Sequence, residues 1–148
     1  MVPDRIEREI MIDAPLERVW SVVTEAEHIG RWFGDAGAEI ELRPGGAFRC
    51  SWGKHGTVHG VVERVEAPRF FSYRWARPLG VDVAPGNSTL VEFTLTPDGQ
   101  RTRLRVVESG FRELDGTDAS RAKYAEENTG GWKAELEELA AYVLQRAA

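Results

Sequence analysis

From residue 36 to residue 109 apolar side chains recur at every second position in one short segment after another, and beyond residue 117 they recur at every third or fourth. A period of two belongs to a strand with one buried face, and a period near 3.6 to a helix with one buried stripe. The chain must therefore build a sheet from consecutive strands and cover it with one helix. AFRCSW sets Phe48, Cys50 and Trp52 on one face and Arg49 and Ser51 on the other. RFFSYRWA repeats the pattern with Phe71, Tyr73 and Trp75, STLVEFTLT with Val91, Phe93 and Leu95, and TRLRVVES with Leu104, Val106 and Glu108. Pro44-Gly45-Gly46, Gly53-Lys54-His55-Gly56 and Pro97-Asp98-Gly99 read as the turns between strands, and residues 77–88 as a Pro/Gly loop.

Ahead of this run, RIEREIMID alternates, with Ile6, Ile10 and Ile12 on one side, and predicts a first strand. Asp13 before Ala14-Pro15 reads as an N-cap with Pro in the first turn. Val19, Trp20 and Val23 then line a short helix, and AEHIGRWF makes a second. The last helix is expected to start at Thr117 or Asp118. Trp132, Leu136, Leu139 and Val143 form its apolar stripe, with Glu135, Glu137 and Glu138 on a solvated face. Gly130 and Gly131 interrupt it, although glycine costs about 1 kcal/mol relative to alanine within a helix. The favoured reading is that they let the helix backbone approach the sheet or the short helices. The alternative is a loop at residues 128–131, with the helix beginning at Trp132. The class that emerges is α+β: six or seven antiparallel strands, two short helices after the first strand, and a long C-terminal helix.

The 148 residues suit one domain, 1–148, and a chain of this length needs no staple. The single Cys50 cannot form an internal disulfide and reads as a small buried hydrophobe. A net charge of −5 argues against nucleic acid as a partner. No apolar run approaches a membrane span, so no integral membrane association is expected. The stretch MVPDRIEREI lacks an apolar core, so no signal peptide is expected and the chain is placed in the cytoplasm. His28, His55 and His59 lack metal-ligand spacing, and no motif for a cofactor or a catalytic triad is present.

The stretch IMIDAPLERVWSVVTEAEHIGRWF resembles the opening of the SRPBCC superfamily of START and Bet v 1-like domains. RPGGAFRCSW, GVVERVEAPRFFSYRW and GGWKAELEELAAYV follow in matching order. The resemblance spans about residues 5–146. It is narrowest to the branch related to the C-terminal domain of the Hsp90 ATPase activator. It implies a helix-grip fold, with a curved antiparallel sheet wrapped around the C-terminal helix and a cavity between them. It implies nothing definite about activity, since the superfamily includes carriers, polyketide cyclases, lipid-transfer domains and chaperone regulators.

Candidate site residues follow from which faces point inward. Phe48, Trp52, Tyr73, Trp75 and Phe93 are expected on the inner face of the sheet, with Trp32 and Trp132 closing the space from the helices. They read either as a filled core or as the wall of an apolar pocket. Glu108 falls on the same face. The favoured reading lets it reach water near the strand end or pair with Arg112. The alternative is a buried polar centre shared with His59 and Tyr73, with His59 turned inward beside Val61. The leading function is binding of a small hydrophobic or aromatic molecule. The alternatives are a cyclase- or aromatase-like enzyme and a chaperone ATPase regulator. The sequence is silent on oligomeric state and leaves a homodimer open.

Overall fold

The computed structural model describes residues 2–147. Strand β1 (Arg5–Ile12) leads into helices α1 (Leu16–Thr24) and α2 (Ala26–Trp32). Six strands follow: β2 (Ala38–Ile40), β3 (Ala47–Trp52), β4 (Gly56–Glu66), β5 (Phe70–Ala76), β6 (Ser88–Asp98) and β7 (Arg101–Ser109). A 3-10 turn at Phe111–Glu113 precedes α3 (Asp118–Ala147). The sheet order is β1-β7-β6-β5-β4-β3-β2, antiparallel at every pairing. β2 to β7 pair in sequence order, and β7, the last strand, pairs on its other side with β1, which forms one edge of the sheet. This is the expected α+β helix-grip architecture.

The inner face carries the expected alternation. Phe48, Cys50, Phe71, Tyr73, Val91, Phe93, Leu95, Leu104 and Val106 are all buried. Trp132, Leu136, Leu139 and Val143 of α3 are buried against them. Each such side chain contributes about 1.5–3 kcal/mol of transfer free energy, so the stripe alone pins the helix to the sheet. A second, smaller cluster joins Val2, Phe111, Leu114 and Ala125 under the N-terminal part of α3.

Three local expectations need correction. Helix α1 begins at Leu16 with Pro15 as the flanking residue, and no side chain caps it. Pro15 takes the N-cap position, where its carbonyl accepts from the Arg18 and Val19 N–H groups, both at 3.1 Å. The Gly99-Gln100 turn lies past Pro97, which pairs with Thr102 within β6–β7. Helix α3 runs unbroken through Gly130 and Gly131, so neither a loop nor a helix start at Trp132 is present. A Cβ at either position would meet nothing within 4 Å, so close backbone approach does not explain them. Both glycines lie on the solvent face, and nothing in their packing calls for glycine. The helix start itself is as expected. Ser120 N–H donates to Thr117 Oγ and Thr117 N–H to Ser120 Oγ, each at 3.1 Å, a reciprocal cap of the kind that satisfies orphan amide groups.

Candidate functional site

The inner end of β7 places Glu108 opposite Val91 of β6 and Ile6 of β1. It does not reach water and does not pair with Arg112, which donates to the Val2 carbonyl instead. Glu108 is fully buried. Four side chains donate to its carboxylate. Trp75 Nε1 (2.9 Å) and Thr89 Oγ (2.5 Å) reach Oε2, and Trp132 Nε1 (2.9 Å) reaches Oε1. Asn128 Nδ2 spans both oxygens at 2.9 and 3.1 Å. Indole and amide N–H groups can only donate, so both oxygens serve as acceptors, which is what an ionised carboxylate offers. The desolvation cost of a buried carboxylate is met here by donors instead of a cation. The donors come from β5, β6 and two successive turns of α3, so the carboxylate ties sheet to helix.

The rings around this centre pack on one another. Phe33 stacks on Trp75 (centroids 5.7 Å apart) and on Trp132 (5.5 Å), and Trp75 stacks on Trp132 (5.6 Å). Deeper in, Phe48 stacks on Tyr73 at 4.3 Å, and Tyr73 lies 6.2 Å from Phe93. Trp32 donates its indole N–H to the Val22 carbonyl and packs on Phe33. Trp32, Phe48, Tyr73, Phe93 and Trp132 are thus core. Burial holds the Tyr73 hydroxyl well above the ordinary phenol range, and pushes the Cys50 thiol up to about 12.

At the mouth of the grip the packing opens into a cleft of about 670 Å³. One wall is Trp52, Val58, Trp75 and Ala76 from the sheet, and the other is Tyr124, Glu127 and Asn128 from α3. Arg77, Pro78 and Leu79, from the loop after β5, form the rim, with His55 across from them. Trp52 is half-buried and anchored by its indole N–H to the Phe33 carbonyl at 3.0 Å. Asn128 belongs to both the cleft lining and the Glu108 cluster, so it separates open space from buried charge. Burial, then the nearby Glu108 carboxylate, raises the Tyr124 hydroxyl to about 12, so it stays protonated at neutral pH.

Of the residues the sequence singled out, Trp52 and Trp75 line the cleft and Glu108 lies behind it. His59 does not join them. The register pairs Arg49 with His59 and Phe48 with Gly60, which puts His59 on the outer face. There its Nδ1 lies 2.7 Å from Asp82 Oδ1, tying down the loop after β5 and holding the Asp82 carboxyl below its usual range. Val61 likewise faces out, while Val58 and Val62 are buried. The register gives position 60 an inner place, and it is held by glycine because a Cβ there would lie 2.6 Å from the Arg74 carbonyl oxygen and 3.2 Å from the Phe48 ring. A bulge between Val62 and Arg64 then shifts the alternation by one residue. Glu135 also departs from the solvated face expected for it. It is half-buried, and burial followed by the adjacent Glu138 charge raises its carboxyl to about 7. Thr89, Tyr124, Asn128 and Arg77 were not singled out. The signal for three of them was present: Thr89 sits on the inner row of Val91 and Phe93, and Asn128 and Tyr124 extend the stripe back from Trp132 in steps of four.

Among the described residues no group of three or more His, Cys, Asp or Glu could hold a metal ion, and no helix is long and apolar enough to cross a membrane. Several solved structures share the architecture. Protein MLL2253 from Mesorhizobium loti is 25% identical with a TM-score of 0.79, over 97% of this chain and 98% of that one. DynU16, a protein in the dynemicin biosynthetic locus, is 25% identical with a TM-score of 0.74, over 95% of this chain but 47% of its own length. The Aha1 dimer from Colwellia psychrerythraea has the same fold at 17% identity and a TM-score of 0.72, over 94% of this chain and 95% of that one. No protein of curated function matches. The family model described as "Activator of Hsp90 ATPase homolog 1-like protein" matches residues 13–144, nearly the whole chain. The chain is a member of that family.

Proposed function

We propose that this protein binds a small apolar or aromatic molecule in the cleft between Trp52, Trp75 and the first half of α3. The observation that carries this is the form of the cleft. Two indoles and a leucine line an open space of about 670 Å³, whose inner side ends in a hydrogen-bonded polar centre. Ligand sites combine these elements: apolar walls with a few fixed polar groups. A ligand burying roughly 300 Å² of apolar surface gains about 7 kcal/mol before association costs, which corresponds to dissociation constants from micromolar upward. The test is a thermal-shift screen of hydrophobic and aromatic compounds on wild type, Leu79→Ser and Arg101→Ala, the last an exposed position at the β6–β7 turn outside the cleft lining. Stabilisation by some compounds that is weakened by Leu79→Ser and kept by Arg101→Ala supports the reading. Silence across the screen, or equal loss in both variants, overturns it.

The likeness to DynU16, whose gene lies in a biosynthetic locus, supports a second reading as a biosynthetic enzyme, for which cyclase- or aromatase-like chemistry in the same cleft is our proposal. Tyr124 would then act as a hydrogen-bond donor, since its hydroxyl stays protonated at neutral pH. Turnover of an aromatic polyketide analogue by wild type but not by Tyr124→Phe would support it. The family description supports regulation of an Hsp90-type ATPase as a third reading, which an ATPase assay with and without this chain decides. A second copy of the chain is a candidate partner on the example of the Colwellia dimer, and sedimentation at micromolar concentration reads it.

A further inference from the structure

We infer that the cleft takes an amphiphile with an anionic head, such as an aromatic or aliphatic carboxylate, bound with its head at Arg77 and its apolar body against Trp52 and Trp75. This rests on the reading of the cleft as a ligand site and names the class of ligand. The Arg77 guanidinium carbon lies 4.2 Å from the centre of the Tyr124 ring. The ring lies against the guanidinium and limits its position, and this contact is with the π-face and consumes none of its N–H donors. The guanidinium therefore keeps the planar fork that engages a carboxylate, sulfonate or phosphate through two parallel hydrogen bonds. No carboxylate of the described residues pairs with it.

The two ends of the cleft are unlike, and the difference sets the orientation. The inner end closes on Asn128, with the buried Glu108 carboxylate immediately behind. A negative head pushed inward would meet that like charge in a region shielded from water, where the repulsion is poorly screened. At the rim the same head meets Arg77 and solvent. The apolar body then lies along Trp52, Trp75 and the Leu79 side chain, which is 39% exposed at the rim. Glu127, the acid in the lining, is exposed on α3, where water and salt screen it.

Three probes with one ring system and different heads separate the possibilities: 2-naphthoate, 2-naphthamide and 2-naphthylmethylammonium. Each is titrated into 15N-labelled protein while the Trp52 and Trp75 indole N–H signals are followed, for wild type and for Arg77→Gln. Arg77 is exposed, so the variant keeps its fold. The expected result is that naphthoate binds about tenfold tighter than the amide, in keeping with a charge-assisted pair. Arg77→Gln removes that advantage and leaves amide binding unchanged, and the advantage shrinks as salt rises. Equal binding of all three probes, or preference for the ammonium, overturns the anionic class while leaving the cleft as a ligand site. Failure of every probe to move either indole overturns both.

Discussion

Replacing Glu108 with glutamine removes one unit of negative charge and changes almost no volume, so its cost reports the hydrogen-bond arrangement directly. The carboxylate accepts from Trp75 and Thr89 on one oxygen and from Trp132 on the other, with Asn128 across both. Glutamine offers one oxygen and one NH2 group. Whichever way it is placed, its NH2 faces an indole N–H, and two donors cannot bond. Thr89 can turn its hydroxyl to accept from the new NH2, and Trp75 keeps the Thr89 oxygen as a second acceptor at 3.1 Å, whereas Trp132 depends on Glu108 Oε1. An indole donor therefore either loses its partner or falls back on that longer bond, at about 1–3 kcal/mol, and the surviving bonds fall from charge-assisted to neutral strength. Relief of the carboxylate's desolvation offsets part of this. The net expectation is a loss of about 2–4 kcal/mol, or roughly 6–12 °C in Tm for a chain of this length. Urea unfolding followed by circular dichroism measures it, with an unchanged m-value showing that the denatured state is the same. The deficit should persist from low to high salt because the group is buried. A Glu108→Gln protein that melts within a degree of wild type would refute the four-donor arrangement.

Gly130→Ala and Gly131→Ala should each stabilise the protein by about 1 kcal/mol, since both are helical, exposed and free of contacts, and a double variant with unchanged or lower Tm would show an unrecognised constraint on α3. Glu135 holds its proton more tightly folded, at about 7, than unfolded, at the ordinary 4.5. Folding therefore takes up a proton between these values, and stability present below pH 4.5 declines as pH rises toward 7. Allowing for its partial exposure, the decline is about 1 kcal/mol, and Glu135→Gln should flatten that part of the stability profile. Cys50 is fully buried and its thiol is raised to about 12, so the native protein should resist alkylation by iodoacetamide at pH 8 and react only after unfolding.

The architecture was legible because alternation and helical stripes are set by burial, and burial is imposed residue by residue. Phe48, Tyr73, Phe93, Leu104 and Trp132 stand where their periods put them. What alternation could not show is where it breaks. Gly60 carries no apolar signal although it sits on the inner row, and the bulge after Val62 moves the pattern by one, so His59 was turned the wrong way. Glu108 was placed on the inner face by its spacing, yet its partners lie on three other elements whose register a sequence does not fix. Asn128 and Tyr124 are polar members of an otherwise apolar stripe, and reading that stripe only forward from Trp132 missed them. Arg77 belongs to a loop, and its contact with the Tyr124 ring depends on a backbone path that no period describes.

Binding of an apolar ligand in the cleft beside Trp52 and Trp75 can be read directly from the five tryptophans, since each indole N–H gives its own signal in a 15N–1H correlation spectrum. On titration with a mixture of aromatic acids and fatty acids, Trp52 and Trp75 should shift first and furthest, Trp132 less, and Trp20 and Trp32 hardly at all. Shifts confined to Trp20 and Trp32, or no shift at any indole up to millimolar ligand, would mean that this cleft is not a ligand site.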